Sequence, residues 1–227
     1  MIDYLRGHGG LAMGMIRSTP QQGEFAKEPG VNVLYGLRYQ LALLRRDDRE
    51  HALAGFYRQL AQGMTRDTFL GGEGSRFFHG DRFGRSFYLP PNSASNAAFL
   101  TTLRYLLVQD WEDDDGEPDT LRLLYGAPGR WLADGARVRV ERTPTRFGPV
   151  GLHVESRLQK GEVEVTLHPP PRRPKHWSLR LPLPPGWKVV AAGSAEKEIP
   201  LGADGSVELP YRSERFVLRF RVASRVP

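Results

Sequence analysis

The sequence contains no cysteine. That excludes disulfides, a thiolate nucleophile and any zinc site built on sulfur. It also lacks an apolar run approaching the roughly 18 residues that a membrane-spanning helix needs. The amino end, Met1-Ile2-Asp3-Tyr4-Leu5-Arg6-Gly7-His8, has no basic stretch followed by an apolar core. It therefore does not read as a secretory leader, and a cytoplasmic location is expected if the chain is complete. The glycines near His8 and Met13 lack the Walker spacing and its Lys-Ser/Thr pair. The acidic run Trp111–Pro118 fails as a calcium loop. With Gly116 at the sixth position, Trp111 and Arg122 fall where the first and twelfth carboxylates must be. His153, His168 and His176 share no metal-ligand spacing on one short element. No metal and no cofactor are expected.

What is present is an ordinary globular balance, 40% hydrophobic against 26% charged residues in a chain of 227. The net charge of +6 is split unevenly: residues 1–118 carry −2 and residues 119–227 carry +8. A basic half invites a nucleic-acid reading. Its arginines, however, alternate with apolar residues, as in Arg137-Val138-Arg139-Val140 and Arg215-Phe216-Val217-Leu218-Arg219-Phe220-Arg221. Period-two alternation puts them on the solvent face of strands, where their stems cover apolar surface. The expected partners include neither nucleic acid nor a membrane.

Two regimes of periodicity divide the chain. Val33, Leu34, Leu37, Leu41 and Leu44 form one helical stripe, ending at Arg45-Arg46. A second helix is predicted from Asp47, with Glu50 completing a capping box and a stripe of Leu53, Phe56, Tyr57, Leu60 and Met64. The short turn between them predicts a helical hairpin. A third helix is predicted from about Ser95 to Gln109, with Phe99, Leu100, Leu103, Leu106 and Leu107 on one side. A weaker helical segment is read over Gly10–Arg17. Between the second and third helices, Thr68–Ala94 reads as a long loop rich in glycine, charge and aromatics, the kind that is functional when it is ordered. From Asp119 onward the pattern shortens. Strands are predicted at 121–124, 137–141, 151–157, 162–168, 178–183, 188–191, 206–209 and 215–222, punctuated by Asp-Gly, Lys-Gly and Pro-Gly turns. The predicted class is α+β: a helical hairpin region over 1–112, an acidic linker over 113–118, and an antiparallel β-sandwich over 119–227.

A helical hairpin, the loop Thr68-Phe69-Leu70-Gly71-Gly72-Glu73-Gly74, the helix opening Leu89-Pro90-Pro91-Asn92-Ser93-Ala94-Ser95 and a C-terminal β-region together form a layout. It resembles the C-terminal end of six-hairpin glycosidases, the (α/α)6-toroid glycoside hydrolases that include the α-L-rhamnosidase type. The specific matching lies in about residues 64–111. The resemblance implies a carbohydrate substrate and a cleft lined by the inner loops of a helical ring. Such a ring needs twelve helices, whereas the sequence supplies three or four. The resemblance therefore also implies an N-terminal helical part or a partner chain that completes the toroid. The piece alone would then be inactive.

Glycoside hydrolysis uses two carboxyl groups flanking the scissile bond. By resemblance Glu73, between Gly72 and Gly74, is the general base, and the acid lies on helices outside this sequence. The plainer reading, a turn with a solvated Glu73, stands beside it. Arg76, His79, Asp81, Tyr88 and Asn92 are the candidate substrate-binding residues in the same segment. Each has its structural alternative. Asp81 can pair with a neighbouring arginine, His79 can be structural, and Asn92 can start a helix. The aromatics Phe77, Phe78, Phe83, Phe87 and Tyr88 can plug the core beneath the loop. A non-catalytic carbohydrate- or protein-binding module is the competing class.

Overall fold

The computed structural model describes residues 1–17, 30–78, 84–112, 115–194 and 197–225. The chain separates into two compact units, Met1–Tyr105 and Leu106–Pro227.

In the first unit, helix α1 (Ile2–Gly7) is followed by a minimal hairpin, β1 (Leu11–Ala12) against β2 (Met15–Ile16). Its turn residues Met13 and Gly14 have φ of 53° and 77°. Two successive left-handed residues make the tight turn that joins antiparallel strands, so a hairpin stands where a weak helix is predicted. Strand β3 (Gly30–Asn32) leads into α2 (Val33–Arg45), whose first turn is capped by Asn32 Oδ1 accepting from Tyr35 N–H at 2.8 Å. Helix α3 (Arg49–Arg58) runs on into a π-helical turn, Gln59–Gly63.

The start of α3 departs from the predicted box. Asp47 is left-handed at φ 60°, and Asp48 takes the cap position without capping. Its carboxylate instead accepts from Arg6 at 2.5 Å and contacts the His51 ring at 2.7 Å. Burial pushes this carboxyl up, but the two bonds outweigh burial and hold it below the usual aspartate value. Glu50 pairs with Arg49.

Helices α2 and α3 approach through glycine. A Cβ at Gly55 would lie 2.3 Å from Gln40 Nε2, and one at Gly36 would lie 3.1 Å from Gln59 Oε1. The two wholly buried glutamines thus fill the room left by the missing side chains. In consequence α3 buries Ala52, Gly55 and Phe56, while Tyr57, in the predicted stripe, is 38% exposed.

The long loop of the sequence reading contains a hairpin, β4 (Gly74–Phe78) and β5 (Gly84–Tyr88), and β3 completes a three-stranded sheet in the order β3-β4-β5. Helix α4 (Ser93–Leu107) follows. It buries Ser95 and Thr102 but leaves Leu100 63% exposed, with Phe99 and Leu103 half-buried. No toroid is evident: the described residues form four α-helices, too few to close a ring of six hairpins.

The second unit holds two sheets. Strands β6 (Val108–Glu112) and β7 (Pro118–Leu123) pair antiparallel, so the acidic run joins two strands of one sheet. The unit boundary accordingly precedes β6. The chain then lays down β8 (Arg137–Thr143), β9 (Val150–Arg157), β10 (Glu162–His168), β11 (His176–Arg180), β12 (Trp187–Gly193), β13 (Glu198–Ile199), β14 (Ser206–Glu208) and β15 (Phe216–Ser224). A six-stranded antiparallel sheet runs β13-β12-β15-β10-β9-β8, and a four-stranded sheet runs β14-β11-β7-β6. The four-stranded sheet is not wholly antiparallel, because β11 pairs parallel to β7. A parallel neighbour requires a crossover, and here β8, β9 and β10 of the other sheet supply it.

One apolar core draws on both sheets of this unit, including Leu121, Leu123 and Leu179 from one, and Leu152, Val165, Leu218 and Phe220 from the other. Each fully buried side chain of this size contributes about 1.5–3 kcal/mol. The outward face of the six-stranded sheet is a charge ladder. Glu155 accepts from Arg157 at 2.7 Å and lies 3.7 Å from Arg137. Arg157 also reaches Glu162 at 3.3 Å, and Arg219 reaches Glu164 at 3.2 Å. The hydrogen bond from Arg157, with the nearby charge of Arg137, holds the Glu155 carboxyl below its usual value. Arg137, Arg157 and Arg219, expected on the solvent face, are thus interleaved with acid partners.

Candidate functional site

The register of the three-stranded sheet sorts its side chains. Val31, Ser75 and Phe87 are paired across it, as are Asn32, Gly74 and Tyr88, and Gly30, Arg76 and Ser86. Successive residues of a strand face opposite ways. Val31 and Ser75 are buried and Phe87 is half-buried, which marks the inner face; Arg76, Ser86 and Tyr88 are exposed, which marks the outer one. Ser75 Oγ is anchored inward, donating to the Gln62 carbonyl at 2.9 Å.

Glu73 stands immediately before β4 and is locked by its backbone. Its N–H donates to the Tyr88 carbonyl at 2.9 Å, and its carbonyl accepts from Val33 N–H at 2.8 Å. The second bond satisfies one of the free N–H groups at the start of α2. The side chain is half-buried. Among the described residues no hydrogen bond or ion pair engages its carboxylate.

The flanking glycines have a packing cause. A Cβ at Gly72 would lie 2.7 Å from the Tyr88 carbonyl oxygen, and one at Gly74 would lie 3.2 Å from that of Val31. These positions are narrow because neighbouring backbone comes close. Gly71 is a junction: its N–H donates to Asn96 Oδ1 at 2.7 Å, and its carbonyl accepts from Asn92 N–H at 2.7 Å.

The structure brings Glu73, Arg76, Tyr88 and Asn92 onto one small sheet and the turn that leaves it. Arg76 and Tyr88 share the outer face, and Tyr88 is 59% exposed. Asn92 has a defined structural task, since its Oδ1 accepts from Ser95 N–H at 2.8 Å and caps α4. His79 and Asp81 lie outside the described residues, as does Phe83; for Phe77, Phe78 and Arg85 only the backbone is described. The sequence reading missed Asn32 and Ser86 on the outer face. The alternation Gly74-Ser75-Arg76 against Ser86-Phe87-Tyr88 was the available signal, hidden by the glycines.

Elsewhere, a shallow groove in the second unit is lined by Ala191, Gly193, Lys197, Glu198, Arg219 and Arg221. Arg219 there is already committed to Glu164. Among the described residues, no group of three or more His, Asp or Glu side chains is arranged to hold a metal ion. None of the described helices is long and apolar enough to cross a membrane.

No protein-family model matches the sequence, and no curated protein does either. A solved structure described as a glycoside hydrolase is similar to this chain, with a TM-score of 0.41 and 15% identity. The likeness covers 86% of this chain and 33% of the other, so the chain spans about a third of the length of that structure.

Proposed function

We propose that this chain is the C-terminal part of a carbohydrate-active glycoside hydrolase, with Glu73 as the loop carboxylate that activates water as general base. The observation that supports this most is the state of Glu73. Its backbone is held at both ends while its carboxylate is half-buried and engaged by no described residue. A structural glutamate in a tight turn is ordinarily either solvated or paired; one with a fixed backbone and an uncommitted carboxylate is available to a ligand. Arg76 and Tyr88 on the adjoining outer face offer a polar and an aromatic contact for a sugar. The general acid is assigned to a further helical part or a partner chain, which would also extend α2–α4 toward a toroid. Nucleic acid and membranes stay outside the proposed partners, because Arg157 and Arg219 on the outward face of the six-stranded sheet are paired with glutamates. The test is Glu73→Gln in a complete, active enzyme containing this chain. Turnover should fall by about a hundredfold or more, the scale of a lost general base, with the fold intact. Near-normal turnover overturns the assignment.

One observation favours a second reading, a non-catalytic binding or assembly module. Helix α4 buries Ser95, Thr102 and Leu106 yet leaves Leu100, a member of its apolar stripe, 63% exposed. A stable, well-behaved monomer in light scattering would count against this reading.

A further inference from the structure

Sheet register brings together two histidines that lie on different strands. In the pairing of β9 with β10, Thr166 stands opposite His153 and Gly151 stands opposite His168. Leu152, Val154, Val165 and Leu167 of these strands point into the core. Their neighbours His153 and His168 therefore share the outward face, as a diagonal cross-strand pair. The two ring centres are 5.7 Å apart, with their planes at 57°. His168 is exposed, and the His153 side chain is 37% exposed.

The residues around the pair leave it room and supply charge. A Cβ at Gly151 would lie 3.4 Å from His168 Cβ and 3.6 Å from its Cδ2, so the His168 side chain lies against a residue that has none. On the next strand, Val140 pairs with Leu152 and Thr143 with Val150, so Glu141 and Arg142 together oppose Gly151. Such a bulge re-aims side chains, and bulges recur beside active sites. Glu141 Oε1 lies 4.0 Å from His153 Nε2 and also pairs with Arg139, which stands opposite His153. Arg215 is the further cation that acts on His168.

We infer that His153 and His168 form a binding site for one divalent transition-metal ion, which would tie β9 to β10. Imidazole nitrogen suits Zn²⁺, Ni²⁺ and Cu²⁺, whereas Mg²⁺ and Ca²⁺ require a set of oxygen ligands that this pair does not offer. A metal held at about 2.0–2.1 Å by one nitrogen of each ring sets the ring centres roughly 5 Å apart. Small rotations of two accessible side chains supply that distance. The two histidines leave the remaining coordination positions to water, and Glu141 places negative charge beside them. Only a neutral imidazole can ligate. Burial, with the charges of His153 and Arg215, holds His168 below its usual value, which keeps it neutral at neutral pH. The spacing of these histidines along the chain carries no metal signature, because the pair exists only in the register of the sheet. The site is independent of any role for Glu73.

The test is titration of the full 227-residue chain with Zn²⁺ at neutral pH in a non-chelating buffer, followed by calorimetry and by NMR of the histidine ring signals. The His153 and His168 rings should shift together and saturate at one equivalent, and Ni²⁺ should compete. Mg²⁺ should leave both rings unmoved. His153→Gln and His168→Gln should each weaken binding by at least about tenfold, because the second bond of a paired site forms at high effective concentration. His176→Gln, on the other sheet, should bind as before. Zn²⁺ should also raise the denaturation midpoint of the tryptophan fluorescence, by mass action on the folded form, and lose that effect in either substituted pair member. Absence of binding, ring shifts confined to other histidines, or unchanged affinity in both His153→Gln and His168→Gln overturns the proposal. The ring shifts decide it in the unsubstituted protein even if a variant fails to fold.

Discussion

The two units handle their apolar side chains in opposite ways. Among the described residues, twenty-nine buried apolar side chains lie from Leu106 onward and only ten before it. Of the eleven large apolar side chains that stand exposed, ten belong to the first unit and one, Val190, to the second. The β unit closes its own core and pairs several outward arginines, Arg137, Arg157 and Arg219 among them, with glutamates. Buried polar atoms without partners occur in both units among the described residues, at Tyr39, Gln40, Gln59 and Ser95 in the first and at Gln109 and Trp177 in the second, but it is the helical unit that turns Tyr35, Phe69, Tyr88 and Leu100 outward. A helical layer with its apolar residues outside is one whose sequence answers to something besides its own stability.

The sharpest way to break this comparison is to unfold the units separately. All four tryptophans, Trp111, Trp131, Trp177 and Trp187, lie in the β unit. Their fluorescence should report its unfolding, while the helical signal at far-ultraviolet wavelengths reports the first unit. Two transitions are expected, the helical one at lower denaturant. Phe220→Ala, at a fully buried position, should cost the fluorescence transition about 3–5 kcal/mol and leave the helical one in place. A single coincident transition would erase the distinction.

Gly55→Ala should do the converse with a smaller effect. Its methyl would meet the buried Gln40 carboxamide, so the helical transition should lose about 1–3 kcal/mol while the fluorescence transition stays. Asn92→Ala should cost the helical unit about 1 kcal/mol through loss of the α4 cap. A larger loss would indicate a role for Asn92 beyond capping.

The smallest effects sharpen the picture. Leu100→Gln should change stability by no more than about 0.5 kcal/mol, because its side chain already faces solvent. A large loss would show that this face is covered. In the β unit, burial holds the His168 imidazole below its usual value, helped by the neighbouring His153 and Arg215, while Glu141 acts in the opposite sense. The unfolded chain therefore takes up the proton first as pH falls. The stability carried by neutral His168 is present above about pH 6.5, the unfolded value, and is lost as pH falls through the lower folded value. His168→Gln should flatten that small decline in a series of denaturation midpoints.

The sequence made some parts legible and hid others. The strands of the β unit were visible because period-two alternation is local: Val163, Val165 and Leu167 alternate with Glu162, Glu164 and His168 in the chain and in the sheet. The parallel pairing of β7 with β11 was not visible, since nothing near either strand encodes a crossover through another sheet. Helix α2 was legible from its stripe, whereas the face of α3 was misjudged. Gly55 and Gln59 read as breaks in an amphipathic pattern until Gln40 is seen lying over Gly55. The hairpin β4–β5 was read as loop because glycines 74 and 84 and charged residues interrupt its alternation. Of the candidate site, Glu73 was conspicuous by its glycine neighbours, yet those glycines answer to the carbonyls of Tyr88 and Val31.

By itself, then, the sequence determined the α+β class and most of the second unit's strands. Tertiary structure alone decided which faces are buried and which aromatics stand outside. Periodicity records where a side chain points on its own element. Burial depends on what comes against that element from a distant part of the chain.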